Sequence, residues 1–389
     1  MAGTGATGAE QLTANTHPRI LFLVTEDWYF CSHRLELARA ARAAGFAVTV
    51  VTRVQAHADV IQREGFKLVP IALERRGSNP LKELKAIMQL ARIYRSEQPD
   101  IVHHVALKPV LYGSVAARLA GVPHMVNALA GLGFVFSSER PLARLLRPLV
   151  KAAFRLLLNR RDSRVILQNR DDLALLTGSG VLAPGRVVVI RGSGVDLERY
   201  APLPEAPGIP VVLLASRMLW DKGVGEFVEA ARRLRAGGVA ARFVLVGEPD
   251  EGNPAAVPEA RLLEWKQAGI VEWWGRRDDM PEVLAQSHIV CLPSYREGLP
   301  KVLLEAAACG RPIVASDVPG CREIVRHEEN GLLVAVRDPA ALADALRRLI
   351  GDADMRRRMG RSGRAMVEAD FSVQRVVRET LDVYGGLLS

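Results

Sequence analysis

Short runs of Val, Ile and Leu alternate with helix-length segments along nearly the whole chain, and the pattern runs through twice. In the first half, stretches 19–24, 47–52, 67–71, 101–104, 124–127, 164–167 and 187–190 read as strands, with 34–44 and 81–96 as helices. The second series starts at 211–215 and continues at 242–246, 270–274, 289–292, 313–315 and 332–334, closed by helices 339–350 and 355–369. Strands that are apolar throughout are buried on both faces, and strands separated by helices pair in parallel. The fold class is therefore α/β: two Rossmann-like, doubly wound parallel-sheet domains facing across a cleft. At 389 residues the chain suits two such domains better than one core. Sheets of this kind bind ligands beyond the carboxyl ends of their strands, which puts the site in the crevice between the halves.

Stretch 192–210 carries four prolines and three glycines and reads as the break between the two series. The expected organisation is a disordered tail over 1–17, a domain over 18–195 and a linker over 196–210. A second domain covers 211–369, and a helix over 370–389 returns to the first. The tail spells GxGxxG between Gly3 and Gly8, but no strand precedes it and no helix follows, so it is a chance match.

No run reaches the roughly 18 apolar residues of a membrane span. The start of the chain lacks the basic and apolar regions of a signal peptide. Cys31, Cys291, Cys309 and Cys321 form no CxxC and have no histidine at metal-ligand spacing. Cys291, Cys309 and Cys321 lie in or next to apolar segments and are expected to be buried thiols, in a reducing cytosol.

The densest chemical signal is the stretch Ser294 to Ala306, placed just after an apolar strand. Pro300 suits the first turn of a helix. Gly298 lets backbone approach a ligand closely, and the free N–H groups of the helix start offer a place for phosphate. Glu305 then falls in the second turn while Glu297 stays on the loop, so two carboxylates can hold hydroxyls at two ends of one extended ligand. The second signal is Ser216 to Gly223, again after a strand. There Arg217 supplies a fork and Lys222 a point charge, a combination that can clamp a diphosphate.

Together these stretches resemble the donor domain of the retaining family 4 glycosyltransferases of the GT-B fold. Glu297 and Glu305 match that family's E-x7-E pattern, Arg217 and Lys222 its Arg…Lys pair, and Gly192-Ser193-Gly194-Val195-Asp196 its interdomain "NGVD" stretch. The resemblance implies that the first domain is the acceptor side and the second binds a UDP-sugar. It implies that Arg217 and Lys222 hold the pyrophosphate, Glu305 the ribose and Glu297 the transferred sugar. Ser216 and the backbone of Gly298, Leu299, Pro300, Lys301 and Val302 would line the donor, and Gly275 and Arg276 the base. Neither a cofactor nor a metal is implied.

Lys108-Pro109…Tyr112-Gly113 ("KPxxYG") and Gly131-Leu132-Gly133 ("GLG") are similar to a subgroup that extends bacterial surface polysaccharides and lipid-linked oligosaccharides. That implies hexose or N-acetylhexosamine transfer to a polyprenyl-diphosphate saccharide. The chain departs from the family in having no Gly-rich loop after its first strand, and in placing Asn127 where some members carry a catalytic histidine. His33 is the first candidate for a role at the acceptor or diphosphate; His104 and Lys108, likewise near predicted strand ends, are further acceptor-side candidates. Tyr295 and Arg296, beside Glu297, are candidates for choosing the sugar.

The net charge of +9 is concentrated. Arg140, Arg144, Arg147, Lys151, Arg155, Arg160 and Arg161 occur without an intervening acid. The first five share one helix face, with leucines crowding the other, and Pro148 is expected to kink the segment or start a second helix. Such a face suits an anionic leaflet. The expected location is cytoplasmic, peripherally on the inner face of the membrane. The stretch lacks the interleaved aromatics of single-strand nucleic-acid binders, and no nucleic-acid partner is expected. A GT-B sugar-nucleotide epimerase and a basic nucleic-acid-binding protein stand as the competing readings.

Overall fold

The computed structural model describes residues 17–73, 79–131, 141–250 and 252–389, and only the backbone of 141–143. The tail with its GxGxxG, Leu132 and Gly133 of the GLG motif, and Arg140 lie outside the described residues.

The first domain carries β1 (Arg19–Glu26), α1 (Asp27–His33), α2 (Leu35–Ala43), β2 (Ala47–Arg53), α3 (Ala58–Arg63) and β3 (Lys67–Pro70). It continues with α4 (Pro80–Glu97), β4 (Ile101–Val105), α5 (Leu107–Ala120), β5 (His124–Leu129), α6 (Pro141–Leu158), β6 (Ser163–Leu167), α7 (Arg170–Gly178) and β7 (Val187–Val189). Its seven strands are ordered β3-β2-β1-β4-β5-β6-β7, all parallel.

The second domain has β8 (Val211–Ala215), α8 (Val224–Ala236), β9 (Arg242–Val246), α9 (Glu259–Gln267), β10 (Glu272–Trp273), α10 (Met280–Ala285) and β11 (Ile289–Leu292). It closes with α11 (Lys301–Ala308), β12 (Ile313–Ser316), α12 (Pro319–Arg322), β13 (Gly331–Val334), α13 (Pro339–Gly351) and α14 (Ala353–Asp370), before α15 (Val373–Leu388). Six parallel strands are ordered β10-β9-β8-β11-β12-β13.

Both sheets are covered on both faces, which is why their central strands are largely apolar, with His103, His104 and Asn127 as buried polar exceptions. In the first domain Leu21, Leu23, Val102 and Met125 pack under Leu90 and Tyr94 of α4 and Ala116 and Ala117 of α5, and Val165 and Leu167 under Phe154 and Leu157 of α6. On the other face Ile20, Phe22, Val126 and Ile166 meet Leu37 and Ala41 of α2. Val376, Tyr384 and Leu387 of α15 join that same core, so the last helix packs on the first sheet. Helix starts follow capping chemistry: Asn79, Asp338 and Ser372 accept N–H bonds at the heads of α4, α13 and α15.

The chain passes between the domains twice, and the two crossings lie side by side. Val195 N–H donates to Phe371 O at 2.9 Å, and Val373 N–H donates to Val195 O at 3.0 Å. Gly194 has φ +74°, and a Cβ there would lie 2.5 Å from Val373 Cα, so only glycine allows the crossings to touch.

Three local expectations change. Of stretch 270–274 only Glu272–Trp273 forms the strand β10, because Ile270 closes the turn after α9, although Trp274 N–H still donates to Leu245 O at 3.0 Å. Pro148 neither divides nor ends α6, which runs as one helix from Pro141 to Leu158. Pro148 is exposed, so the helix bond its missing N–H omits lies on the side open to solvent. Pro300 is the N-cap of α11 with extended backbone rather than its first helical residue.

Candidate active site

Two loops that are 78 residues apart meet because they leave neighbouring strands, β8 and β11, at the same edge. After β8 the chain makes a tight turn over Trp220–Lys222 into Gly223, at φ +73°. A Cβ on Gly223 would lie 2.2 Å from Pro293 O, so glycine sets the approach of the two loops. Tyr295 N–H donates to Asp221 O at 2.9 Å and fastens them. The result is that Lys222 Nζ stands 2.5 Å from Glu297 Oε1. Arg217, from the same loop, turns instead to Asp250 beyond β9. The two cations proposed as one clamp thus have separate carboxylate partners.

Glu305 lies in the second turn of α11, buried, with Lys301 Nζ at 3.3 Å. It also accepts from the Tyr200 hydroxyl; burial, and then this carboxylate, pushes the Tyr200 phenol above its usual range. Lys301 Nζ reaches the first domain and donates to Ser32 O at 2.9 Å. The first N–H groups of α11 receive no side-chain cap. Leu299 packs toward the linker, where a Cβ on Gly192 would lie 2.5 Å from Leu299 Cδ2. Val302 is half-buried beside it. Ser216, Gly247 and Gly275 line up across the ends of β8, β9 and β10: Gly247 N–H donates to Gly275 O at 2.7 Å, and a Cβ on Gly247 would lie 1.9 Å from Ser216 O. Arg276 stands at the rim, paired with Asp278.

At Gly298 the two domains come into backbone contact. A Cβ there would lie 2.1 Å from Ala130 O, at the end of β5, and the Gly298 carbonyl accepts from Asn169 Nδ2 at 3.0 Å. Asn169 is fully buried and caps α7 through Asp172 N–H at 2.7 Å. Asp172 faces Arg296 Nη2 at 3.3 Å. Burial raises the Asp172 carboxyl pKa although Asn169 and Arg296 work against it. Arg170 N–H to Glu323 Oε1 at 2.9 Å and Arg322 to Asp171 at 3.3 Å extend the seam. Sequence reasoning missed Asn169 and Asp172. Asn before a helix start is a cap signal, but nothing local shows that its amide reaches the other domain.

His33 ends α1, stacked on Tyr29 at 4.1 Å with Nδ1 2.6 Å from Ser32 Oγ. Burial, then the charges of Lys301 and Arg34, lowers its pKa to about 3, so it is neutral at physiological pH.

The acceptor-side residues are corrected in part. His104 is fully buried, bonded to Asn127 Oδ1 at 2.8 Å and Tyr94 Oη at 3.1 Å, its ring spent inside the core rather than at the crevice. It lies on the strand face under α4 and α5, where burial keeps it neutral. Lys108 Nζ pairs with Glu83 at 2.8 Å and ties α5 to α4. Arg155 donates to Gly180 O and Ser179 O and anchors α6 to the loop after α7.

The leucines of α6 do not all face inward. Phe154, Leu157 and Leu158 are buried, whereas Leu145, Leu149 and Leu156 are 68%, 65% and 68% exposed. With Ala152 they form an outward apolar row at helical spacing, next to the row of Arg144, Arg147 and Lys151.

Residues 209–352 match the family model described as glycosyl transferases group 1, and residues 19–169 match the one described as glycosyl transferase 4-like. A Campylobacter jejuni N,N'-diacetylbacillosaminyl-diphospho-undecaprenol alpha-1,3-N-acetylgalactosaminyltransferase is 29% identical over 83% of this chain and 87% of its own. An Escherichia coli UDP-Gal:alpha-D-GlcNAc-diphosphoundecaprenol alpha-1,3-galactosyltransferase is 26% identical over 79% and 81%. The crystal structure of Anabaena HepE in complex with UDP and glucose superposes with a TM-score of 0.77 at 19% identity, over 95% of this chain and 100% of that one. With two matched models side by side, one per domain, and the same two-sheet arrangement in that structure, the chain belongs to the group 1, family 4-like glycosyltransferases of the GT-B fold.

Proposed function

We propose that the protein moves a hexose or N-acetylhexosamine from a UDP-sugar to a saccharide carried on a polyprenyl diphosphate. Transfer retains the anomeric configuration and uses no metal. The observation that carries this reading is the Lys222–Glu297 pair at 2.5 Å, with Glu305 on the helix that follows. Lys222 and Arg217 stabilise charge growing on the departing diphosphate, Arg217 exchanging Asp250 for phosphate oxygens. Glu297 orients the sugar beside them, and Glu305 takes the ribose hydroxyls with Tyr200 and Lys301 behind it. Ser216, the backbone from Gly298 to Val302, and the Gly275–Arg276 strip line the rest of the donor. His33, neutral, offers a hydrogen bond rather than a charge at the crevice.

The acceptor reading draws on the two relatives whose names state undecaprenol-diphosphate-linked saccharides. The exposed leucine row of α6 beside its cations supports docking on an anionic membrane surface at the cytoplasmic face. Among the described residues no helix is long and apolar enough to cross a membrane. The test is transfer itself: the full chain is incubated with a panel of UDP-sugars and a short-chain polyprenyl-diphosphate N-acetylhexosamine. The expected result is one extended lipid product with an α-linkage, formed in the presence of chelator. Release of a free epimer of the sugar nucleotide without an acceptor would overturn the reading.

A further inference from the structure

Arg34 joins α1 to α2 and is 5% exposed. Its backbone N–H closes α1 on Phe30 O at 2.8 Å. Its guanidinium makes no hydrogen bond or ion pair to any described residue, and its Nε is buried without an acceptor. Arginine stays charged at every physiological pH and carries five donors. A buried charge without a partner is among the costliest arrangements a fold can hold.

Among the described residues no acid pairs with it. The charge of Arg34 is felt at His33, His103 and Tyr384, none of them an anion. His103 spends Nδ1 on the Tyr384 hydroxyl at 2.5 Å, and its Nε2 is buried without a partner. Lys301 reaches the same strip of chain from the other domain, its Nζ on Ser32 O at 2.9 Å.

We infer that Arg34 is an anion-binding residue of the interdomain crevice, taking a phosphate or diphosphate group with Lys301 supplying the second cation. The planar fork of arginine matches two phosphate oxygens at once. The source of the diphosphate is the donor or the lipid acceptor, and only on that point does the inference rest on the function proposed above.

The test is isothermal titration of the full chain. Inorganic pyrophosphate is titrated in an Arg217→Ala, Lys222→Ala background, so that the donor cations do not mask the site. Arg34→Met, unbranched and apolar, is expected to weaken pyrophosphate at least tenfold, the order lost with a charge-assisted bond. UDP and farnesyl diphosphate are then titrated into the otherwise wild-type chain with and without Arg34→Met. Weakening of farnesyl diphosphate alone places the acceptor diphosphate on Arg34; weakening of UDP alone places the donor's there. Weakening of pyrophosphate with neither of the others leaves the anion site standing and counts against the donor and acceptor reading. Unchanged pyrophosphate affinity in folded Arg34→Met overturns the inference and makes Arg34 a cation solvated by water. Should Arg34→Met not fold, Arg34→Lys keeps the charge without the fork: reduced pyrophosphate affinity is expected, and unchanged affinity overturns the inference equally.

Discussion

Lys222 Nζ and Glu297 Oε1 stand 2.5 Å apart although 75 residues separate them, because Gly223 lets one strand-end loop rest on the other. The pair holds the half-buried Glu297 carboxylate in place before any donor arrives and gives the cation a role in both states. Lys222→Ala therefore removes the proposed phosphate contact and strands Glu297. UDP affinity is expected to fall about tenfold to a hundredfold, the range for a hydrogen bond to a charged group. Thermal stability with and without UDP checks this. Saturation at about 100 times the dissociation constant adds roughly 2.7 kcal/mol to the wild type. At the same concentration the mutant should keep about 1.4 kcal/mol after a tenfold loss and about 0.4 kcal/mol after a hundredfold loss.

The two glutamates are expected to separate in kinetics. Glu305 is buried against Lys301 and Tyr200, on the helix proposed to meet the nucleotide, whereas Glu297 sits on the loop beside Lys222, a cation proposed to bind phosphate. Glu305→Ala should weaken free UDP and UDP-sugar alike. Glu297→Ala should spare UDP and lower kcat for transfer. Titration of UDP alongside steady-state transfer distinguishes them, and wild-type turnover in both variants would remove the site assignment.

Much of this was legible in the sequence, and the limits have physical causes. The doubly wound sheets, the break near residue 200 and the loop carrying Glu297 all follow from apolar runs and turn residues, which are local signals. Arg217 and Lys222 are visible as loop cations, but their separate partners, Asp250 and Glu297, depend on which strands are neighbours. Helical spacing placed the cations of α6 on one face correctly. It could not say which leucines the sheet covers, since helix periodicity does not reveal where the partner surface ends. His104 looked like a strand-end candidate. The pleat turned it under α4, where Tyr94 and Asn127 satisfy it.

The seam at Gly298 gives a test of domain closure. Asn169 Nδ2 holds the Gly298 carbonyl at 3.0 Å, and Asp172 holds Arg296 one residue before Glu297. Neither side chain is expected to touch the reacting atoms; they position the loop. Asn169→Ala should lower kcat with little change in UDP affinity. Gly298→Ala should do so more severely, because its Cβ would meet Ala130 O. Equal losses in UDP binding and in turnover would mean that the seam supports only the fold.

Acid should destabilise the protein through its histidines. The folded-state pKa is lowered to about 3 in His33, to about 4 in His104 and well below the usual value in His103, in each case chiefly by burial. The unfolded chain binds these protons near pH 6.5 and the folded one does not. Stability present above that pH is therefore lost as pH falls from about 6.5 toward 4. Asp172 acts in the opposite sense, its raised pKa favouring the folded state as it protonates, while Asp27 and Asp162, held below the usual carboxylate range, act in the same sense as the histidines. Melting temperature measured against pH should fall over this window. His33→Gln should flatten the slope, and an unchanged slope in that variant would place the lability elsewhere.

The outward leucines of α6 make the membrane reading testable without disturbing the core. Leu145, Leu149 and Leu156 are each about two-thirds exposed, while Phe154, Leu157 and Leu158 on another face hold the helix to the sheet. Replacing the three outward leucines by Ser removes no buried contact, so melting temperature should change little. Each fully buried leucine contributes about 1.5–3 kcal/mol on leaving water. Partial insertion of three is therefore enough to decide vesicle binding when Arg144, Arg147 and Lys151 add their attraction to anionic headgroups. Sedimentation with vesicles rich in anionic lipid should show the wild type bound and the triple variant released. Transfer to a soluble short-chain acceptor should remain intact in both. If the triple variant still sediments with vesicles, the leucine row is not the docking surface. If the wild type stays in solution at low salt, the cations beside it serve the fold's solubility instead.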